Sequence, residues 1–499
     1  MANDRPDTQI NSASPLNGEH RQMFIGGKWV DAESGERLET RNPATGELLA
    51  TVPAASQADI DLAVAAARQA FEGPWRNWTP FERQSLLLRI AERVETHWEA
   101  LCACDTQDMG LPLSRTLGNK RRVVGMLQYY AGMATSITGE TIPNSFPGDV
   151  VSMTVKEPIG VVGAIIPWNA PTASSIWKIG PALATGCTVV LKPSEEAPLA
   201  PLFIAELMAD AGVPDGVVNV VTGDGRTAGA ALADHSDVDK LVFTGSTATG
   251  KRIIEASTNG IKRLSLELGG KSPLIIFADA DLDKAVPIAA MAVYAHSGQV
   301  CIAGSRLFVE DSIYDSFIER LVAFSENLTI GDGMRKETDL GPVISSSQLQ
   351  KISHYLEVGT NEGAKMMTGG EALTSGPYAR GHFVQPTVFA DVTDDMTIAR
   401  EEIFGPVISA LRFKSFDEVI ARGNSTPYGL AAGVFTRDIA KAHKAASMLK
   451  AGSMYVNGYH MIDPAVPFGG YKASGYGREG GREQIEGYLN TKAIWIDNN

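Results

Sequence analysis

The sequence has 499 residues, of which 44% are hydrophobic and 20% charged, and a formal net charge of -14 at pH 7. This length predicts two or three domains, and the acidic balance argues against nucleic acid and anionic membranes as partners because both require a basic surface. The four cysteines and eight histidines show neither a disulfide framework nor metal-ligand spacing, so we expect a cytoplasmic protein with reduced thiols and no metal site.

The N-terminal part is predicted to contain a tail, two strands and three helices. Residues 1–20 are polar and lack the apolar core of a secretory signal, so a flexible tail is expected. Strands are predicted at 24–30 and 48–52. Ser56 begins a helix with a capping-box pattern, and Pro80 suits the first position of a second helix that is expected to reach about Asp105. A third helix is expected at about 114–139, and the role of all three is packing.

From residue 150 onward, strands and helices alternate. Strands are predicted at 150–156, 161–166, 188–192, 217–222 and 240–243, with helices at 174–185, 200–211 and 227–233. The alternation predicts an α/β fold with a parallel sheet covered on both faces, whose ligands bind beyond the carboxyl ends of the strands. The most apolar stretch, 160–191, contains prolines and Lys178 at a density that a membrane span does not tolerate.

Three of these strand ends carry polar or glycine-rich turns, Pro167-Trp168-Asn169, Lys192-Pro193-Ser194-Glu195 and Thr244-Gly245-Ser246-Thr247. The turn at Gly245 leads into a helix at 251–256, whose first N–H groups suit a phosphate, although an ordinary strand-to-helix turn has the same pattern. Lys192 and Glu195 together suit the two hydroxyls of a ribose. A nucleotide is therefore the expected ligand.

Two residues further along the chain are candidates for chemistry. Glu267 lies in an otherwise apolar strand, where a carboxylate must be paired, solvated by a cavity or kept for a reaction. Cys301 lies between a helix predicted at 281–296 and a strand predicted at 306–310; a lone cysteine is either a small buried hydrophobe or a nucleophile. A second αβ region is predicted after it, with helices at 313–325, 346–362 and 415–421 and strands at 384–389, 407–412 and 493–496.

Seven motifs in a fixed order carry a resemblance to a known family. They are Pro167-Trp168-Asn169, Lys192-Pro-Ser-Glu195, Phe243-Thr-Gly-Ser-Thr247, Leu266-Glu-Leu-Gly-Gly-Lys271, Gly298-Gln-Val-Cys301, Glu402-Ile-Phe404-Gly-Pro and Pro467-Phe-Gly-Gly-Tyr-Lys472. With this order and spacing, the chain resembles the NAD(P)-dependent aldehyde dehydrogenase superfamily from about Phe24 to Ile496. The resemblance implies a Rossmann-type NAD-binding domain at 21–139 and 157–266, an αβ catalytic domain at 267–475, and a small β oligomerisation arm at 140–156 and 476–499.

The same resemblance implies roles for individual residues. Cys301 would be the nucleophile, Glu267 the general base and Asn169 an oxyanion donor, and Lys178 matches a further active-site position. NAD would be the cofactor, with NADP less favoured, and the chain would form a homodimer or homotetramer that acts on a small-molecule aldehyde. The implied cofactor-binding residues are Ile165, Pro167, Trp168, Lys192, Glu195, Gly245, Ser246, Gly269, Glu402 and Phe404.

The substrate pocket departs from the commonest family pattern. Ala170 and Ala173 are small where many relatives are bulkier, which predicts a roomy apolar tunnel for broad or bulky aldehydes. Its other expected members are Trp177, Val300, Ile302, Ile462 and Phe468. Two alternatives stay open: an acylating enzyme that releases its thioester to coenzyme A, which Glu267 argues against, and a non-catalytic binding protein on the same fold.

Overall fold

Two large sheets organise the computed structural model, which describes residues 19–499. The strands are β1 Glu19–His20, β2 Met23–Ile25, β3 Lys28–Val30, β4 Arg37–Arg41, β5 Leu48–Pro53, β6 Thr141–Ile142, β7 Val150–Pro158, β8 Val161–Ile165, β9 Thr188–Lys192, β10 Val218–Val220, β11 Lys240–Thr244, β12 Arg263–Glu267, β13 Pro273–Ile276, β14 Arg306–Glu310, β15 Lys365–Thr368, β16 Ala372–Leu373, β17 Phe383–Val384, β18 Thr387–Ala390, β19 Val407–Phe413, β20 Ala431–Phe435, β21 Ser453–Val456, β22 Gly475–Tyr476 and β23 Leu489–Asp497.

The helices cover both faces of these sheets. They are α1 Gln57–Glu72, α2 Pro80–Thr96, α3 Trp98–Met109, α4 Leu113–Gly118, α5 Lys120–Ala134, α6 Pro171–Thr185, α7 Leu199–Asp210, α8 Ala230–Asp234, α9 Thr247–Ala256, α10 Leu282–Tyr294, α11 Tyr314–Glu326, α12 Ser346–Asn361, α13 Thr397–Arg400, α14 Phe416–Asn424, α15 Ile439–Met448 and α16 Gly481–Glu486. None of the helices between residues 19 and 499 is long and apolar enough to cross a membrane.

The predicted α/β fold is confirmed. Within residues 19–499, one sheet has the strand order β22-β12-β11-β8-β9-β10-β2-β3 and the other has the order β15-β18-β19-β14-β13-β20-β21. The run from β12 to β10 is parallel, so its carboxyl ends share one edge. In-register pairing sets Ile165 beside Lys192 and Thr244 beside Glu267. The residues predicted from separate strand ends therefore meet at this edge.

The first elements differ from the prediction in two places. Residues 1–18, most of the predicted tail, lie outside the described residues, while Glu19–His20 pair in parallel with β5 instead of belonging to a tail. The strand predicted at 24–30 is a hairpin of β2 and β3. Its turn is made by Gly26 and Gly27, both at positive φ, a conformation that glycine adopts without steric cost.

Three other predicted elements are interrupted. The helix expected from Thr79 to Asp105 is divided at His97, whose Nδ1 lies 2.9 Å from the Arg93 carbonyl oxygen at the end of α2. The third helix is divided at Asn119 and ends at Ala134, before the predicted 139. The strand predicted at 384–389 is broken at Pro386, which has no N–H to donate to a sheet.

The apolar stretch at 160–191 is the centre of the first layer. It contains β8, β9 and helix α6, every residue of which is buried. Pro171 occupies the first helical position, where its missing N–H costs nothing, and Gly186 ends the helix in the left-handed conformation. The start of α6, at Ala170, thus lies at the ligand edge of the sheet.

A three-stranded antiparallel sheet stands apart from the two large ones. It has the order β23-β7-β6, and β23 pairs with β7 along nine residues, from Leu489 opposite Pro158 to Asp497 opposite Val150. Phe146 and Trp495 pack edge to face at 5.6 Å beside a largely apolar depression of about 500 Å³. These strands correspond to the predicted arm, and the division of the chain into domains stays a prediction.

Candidate active site

The loop that carries Cys301 is held in an unusual conformation. The preceding helix ends at Tyr294, not at the predicted 296, because His296 and Ser297 both have φ near +52°. A Cβ at Gly298 would overlap the backbone of Gly405, so only glycine fits there. The close packing of these two glycines fixes the path of the chain into the half-buried Cys301.

Asn169 is tied to this loop. Its side-chain Nδ2 donates to the carbonyl oxygen of Gln299 at 2.8 Å, and the Gln299 side chain in turn accepts the Ile344 N–H at 2.9 Å. An amide nitrogen has two N–H donors, and this bond uses one of them. The other remains for a bound oxygen atom, and the family resemblance implies that Asn169 uses it as an oxyanion donor.

The thiol of Cys301 is strongly biased toward its protonated form. Burial raises its pKa to about 12, and the carboxylates of Glu402 and Glu267 act in the same direction. The backbone N–H groups of Cys301 and Ile302 oppose this effect. A thiolate at neutral pH therefore requires a positive charge or a proton acceptor brought next to the sulfur.

Glu267 is placed to accept a proton. It is buried at the end of β12, and neither carboxylate oxygen has a hydrogen-bond partner among the described residues. Burial raises its pKa to about 8, while the charges of Lys178 and Arg478 lower it. Its carboxylate faces Gly469, where a Cβ would come within 2.7 Å of Oε1. A buried carboxylate without a partner has the properties of a general base.

Lys178 lies behind this carboxylate. Its ammonium contacts the carboxylate of Glu479 and donates to Thr244 Oγ1 at 2.8 Å. Burial lowers the pKa of Lys178 to about 7, whereas the nearby Glu267 raises it. Glu479 was missed by the sequence analysis, although a lone acidic residue within the glycine-dense segment at 469–481 was a usable signal.

A cleft of about 900 Å³ opens at the carboxyl ends of β8, β9 and β11. Seven of the predicted cofactor residues line it: Ile165, Pro167, Trp168, Lys192, Glu195, Gly245 and Ser246. Ser246 is also the N-cap of α9, where its hydroxyl accepts the Thr249 N–H at 3.1 Å. The cleft thus has a helix N-terminus on one side, as an anionic phosphate requires.

Lys192 and Glu195 converge within this cleft. Glu195 Oε2 lies 3.5 Å from the Lys192 ammonium, and its Oε1 accepts the Gly225 N–H at 3.3 Å. The Lys192 ammonium donates one further bond, to the Pro193 carbonyl at 2.9 Å. A cation and an anion on one wall, with a helix N-terminus nearby, fit the ribose and pyrophosphate of a dinucleotide.

The three remaining predicted cofactor residues, Gly269, Glu402 and Phe404, lie outside the lining of this cleft. The Gly270 N–H donates to Glu402 Oε1 at 2.9 Å, and a Cβ at Gly269 would overlap the same carboxylate. Phe404, at φ +58°, packs edge to face with Trp168 at 5.4 Å. Trp168 thus links the cleft to Phe404.

The residues predicted for the substrate pocket belong to one apolar cluster that includes the start of α6, and the pocket itself stays a prediction. The rings of Trp177 and Phe468 lie 5.7 Å apart, and Ala173 and Ala170 precede Trp177 by about one and two helical turns within the same apolar cluster. Val300, Ile302 and Ile462 belong to the same apolar cluster. Ile302 is almost fully buried and its carbonyl accepts the Tyr459 hydroxyl at 2.7 Å.

One wall of the cleft was not predicted from the sequence. The π turn at Gly225–Gly229 lies across from Glu195, and its N-cap Asp224 accepts the N–H groups of Arg226 and Thr227, each at 2.7 Å. An aspartate between two glycines was the available signal for such a turn. Thr249 and Arg252 of α9 complete the wall.

Comparisons with known proteins agree with this geometry. The model of the family described as "Aldehyde dehydrogenase family" matches residues 29–494. The chain is 48% identical to a Bacillus cereus aldehyde dehydrogenase solved as its NAD+ complex, with a TM-score of 0.95 and coverage of 97% of this chain and 98% of that one. It is 47% identical to the mitochondrial aldehyde dehydrogenase of Mesocricetus auratus, covering 95% of both chains. It is 46% identical to the mitochondrial benzaldehyde dehydrogenase of Antirrhinum majus, covering 96% of this chain and 89% of that one.

Proposed function

The chain belongs to the aldehyde dehydrogenase family and is an oxidoreductase acting on aldehydes, and from that premise we propose that it oxidises an aldehyde to the carboxylic acid through a thioester on Cys301, with NAD as the electron acceptor. The observation that carries this proposal is the buried carboxylate of Glu267, which has no hydrogen-bond partner within residues 19–499 and acts on the thiol of Cys301. Burying an unpaired carboxylate lowers the stability of the fold, so its presence favours a role in a reaction.

The first step is addition of the Cys301 sulfur to the aldehyde carbon. The carbonyl oxygen then carries negative charge, and the free N–H of the Asn169 amide is held beside the nucleophile by its bond to Gln299. A donor placed in advance in this way contributes about 3 to 4 kcal/mol to stabilising the transition state. When bound, the nicotinamide ring of NAD supplies a positive charge that favours the thiolate and accepts the hydride.

The second step is hydrolysis of the thioester. Glu267 takes a proton from a water molecule, which attacks the acyl carbon and releases the carboxylic acid and the Cys301 thiol. Lys178, which contacts Glu479 and acts on Glu267, can pass that proton onward. The presence of this carboxylate favours hydrolysis over transfer to coenzyme A.

The cofactor preference follows from Glu195. The 2′-hydroxyl of an adenosine ribose can donate to its carboxylate, whereas the 2′-phosphate of NADP would meet a like charge there. The solved Bacillus cereus relative is an NAD+ complex, which supports NAD. We also propose a homodimer or homotetramer, formed through the apolar surface around Phe146 and Trp495.

The substrate that we propose has a bulky apolar body. This proposal rests on the small side chains of Ala170 and Ala173, which precede Trp177 on α6, and on the packing of Trp177 against Phe468; the Antirrhinum relative is named for an aromatic aldehyde. The test is a panel of aldehydes with NAD, followed by NADH absorbance and by mass analysis of the acid. Formation of an acyl-coenzyme A only when coenzyme A is added would favour the acylating alternative, and no NADH with any aldehyde would favour a binding protein.

A further inference from the structure

One cation near the active site has no role in the reaction proposed above. Arg122, on α5, is half-buried, and its Nε is fully buried without a partner. Among residues 19–499 no hydrogen bond or ion pair satisfies its guanidinium. Another buried arginine, Arg306, donates to three backbone carbonyls instead. Burying the Nε–H of a guanidinium without a partner is costly, so this group is expected to serve a ligand.

The position of Arg122 follows from the packing of α5 along α6. Tyr130, near the C-terminal end of α5, packs against Gly180 in the C-terminal half of α6. A Cβ at Gly180 would clash with the Tyr130 ring. At the other end, α3 packs on α4, which leads directly into α5, and the Asp105 carboxylate of α3 meets the backbone N–H of Thr172 in the first turn of α6. The two helices therefore run in the same direction. Arg122, near the start of α5, lies at the active-site end of α6.

His460 lies near Arg122 on a separate segment of the chain, which follows β21. The neighbouring Tyr459 donates its hydroxyl to the carbonyl of Ile302, the residue after the nucleophile. Burial lowers the pKa of His460 to about 4, and the charges of Arg122 and Arg115 act in the same direction. His460 is thus neutral and close to both guanidinium groups, and its buried Nε2 has no partner in the part of the chain that the structure describes.

The acidic residues nearby do not neutralise this pair of arginines. Asp463 and Glu483 act on Tyr129, further along α5, and Asp463 also accepts the Ala465 N–H at 2.9 Å. Burial lowers the pKa of Arg122, and no charge within residues 19–499 acts against it. The chain has a net charge of -14, but Arg115 and Arg122 form no ion pair with the described residues and leave a local positive potential beside His460.

We infer that Arg122, supported by Arg115 and by the neutral His460, binds a carboxylate at the end of the substrate distal to its aldehyde. This inference rests on the proposed function and names its substrate class. The rings of Trp177 and Phe468 hold the apolar middle of the molecule, and the planar guanidinium matches a carboxylate in two parallel hydrogen bonds. The substrate is accordingly an ω-formyl carboxylate or an aromatic aldehyde acid.

The test compares each acid with its own methyl ester. With saturating NAD at low ionic strength, kcat/KM is measured for straight-chain ω-formyl carboxylates of increasing length, for 4-formylbenzoate, and for their methyl esters. We expect at least one acid to exceed its ester by about tenfold or more, as a charge-assisted bidentate pair predicts. Arg122→Gln should bring that ratio close to one, and Arg122→Lys should restore part of it. Arg121→Gln, an exposed neighbour on the same helix, is the matched control and should keep the ratio.

The acid-to-ester ratio is also measured as a function of ionic strength, because a purely structural role of Arg122 would not make that ratio depend on salt. The acid-to-ester ratio should fall as ionic strength rises, because the pair is only half-buried. If Arg122→Gln does not fold, three measurements still test whether Arg122 binds a carboxylate. They are the acid-to-ester ratio of the wild type, the salt dependence of that ratio, and the ratio in Arg122→Lys. Esters oxidised as well as acids at every length, or a ratio that survives Arg122→Gln, would overturn this inference alone. No oxidation of any aldehyde would overturn the proposed function and this inference with it.

Discussion

Hydrolysis of the acyl intermediate should follow the ionisation of Glu267. Burial raises the pKa of this carboxyl to about 8 from its usual 4.5, so about a tenth of it is ionised at pH 7 and about nine-tenths at pH 9. If the ionised form is the base, the rate of hydrolysis rises about tenfold over that range and is constant above it. An ordinary carboxylate, ionised throughout, would give no rise.

The assay is a single turnover in which enzyme, NAD and limiting aldehyde are mixed and the thioester on Cys301 is followed by quenched-flow mass spectrometry. Glu267→Gln should slow the decay about a hundredfold or more and abolish its dependence on pH. Arg478→Met should move the rise to higher pH, because the charge of Arg478 lowers the pKa of Glu267. Glu255→Gln, at an exposed carboxylate, is the matched control. A wild-type rate that is flat between pH 6 and 9, or a rise retained in Glu267→Gln, would refute the reasoning.

Three further outcomes are expected. Cys301→Ala should abolish aldehyde oxidation while NAD still binds, as measured by calorimetry; a variant that keeps more than about a hundredth of the wild-type rate would indicate another nucleophile. The wild-type enzyme should prefer NAD to NADP by about thirtyfold or more in kcat/KM, and Glu195→Gln should narrow the gap while the exposed Glu196→Gln does not; equal use of both cofactors by the wild type would exclude Glu195 as the selector. Ala170→Phe should lower kcat/KM for bulky aromatic aldehydes relative to acetaldehyde, by about 1 to 3 kcal/mol for each methylene displaced; an unchanged substrate profile would place Ala170 outside the pocket.

Residues at the ends of parallel strands were the easiest to predict. Lys192, Thr244 and Glu267 each follow a short apolar run, and the geometry of a parallel sheet requires such ends to meet at one edge. Motif order along the chain then sufficed to bring Cys301 to the same place. The local sequence pattern and the sheet topology both place these residues at the same edge of the sheet. This part of the site could therefore be predicted from the sequence.

Residues whose role depends on what surrounds them could not be predicted in this way. Arg122 lies in a helix among other basic residues, a pattern that usually indicates a solvated face, and its lack of a partner is visible only in three dimensions. Glu479 is separated from Lys178 by about three hundred residues of chain and meets it through the packing of α16 on α6. Interruptions such as that at His97 are equally invisible, because helical periodicity continues on both sides of the break.

The pairing of β22 with β12 can form only late in synthesis of the chain on the ribosome. Gly475 and Tyr476 cover the open edge of the strand that ends at Glu267, and the Ser474 hydroxyl donates to the Gly269 carbonyl at 2.7 Å. Translation produces this cover some two hundred residues after the strand that it closes. A nascent chain stalled before residue 474 therefore exposes a strand edge next to its future base. Such a chain should recruit chaperones and oxidise no aldehyde, and both properties should change once the ribosome has released the segment from 474 to 484.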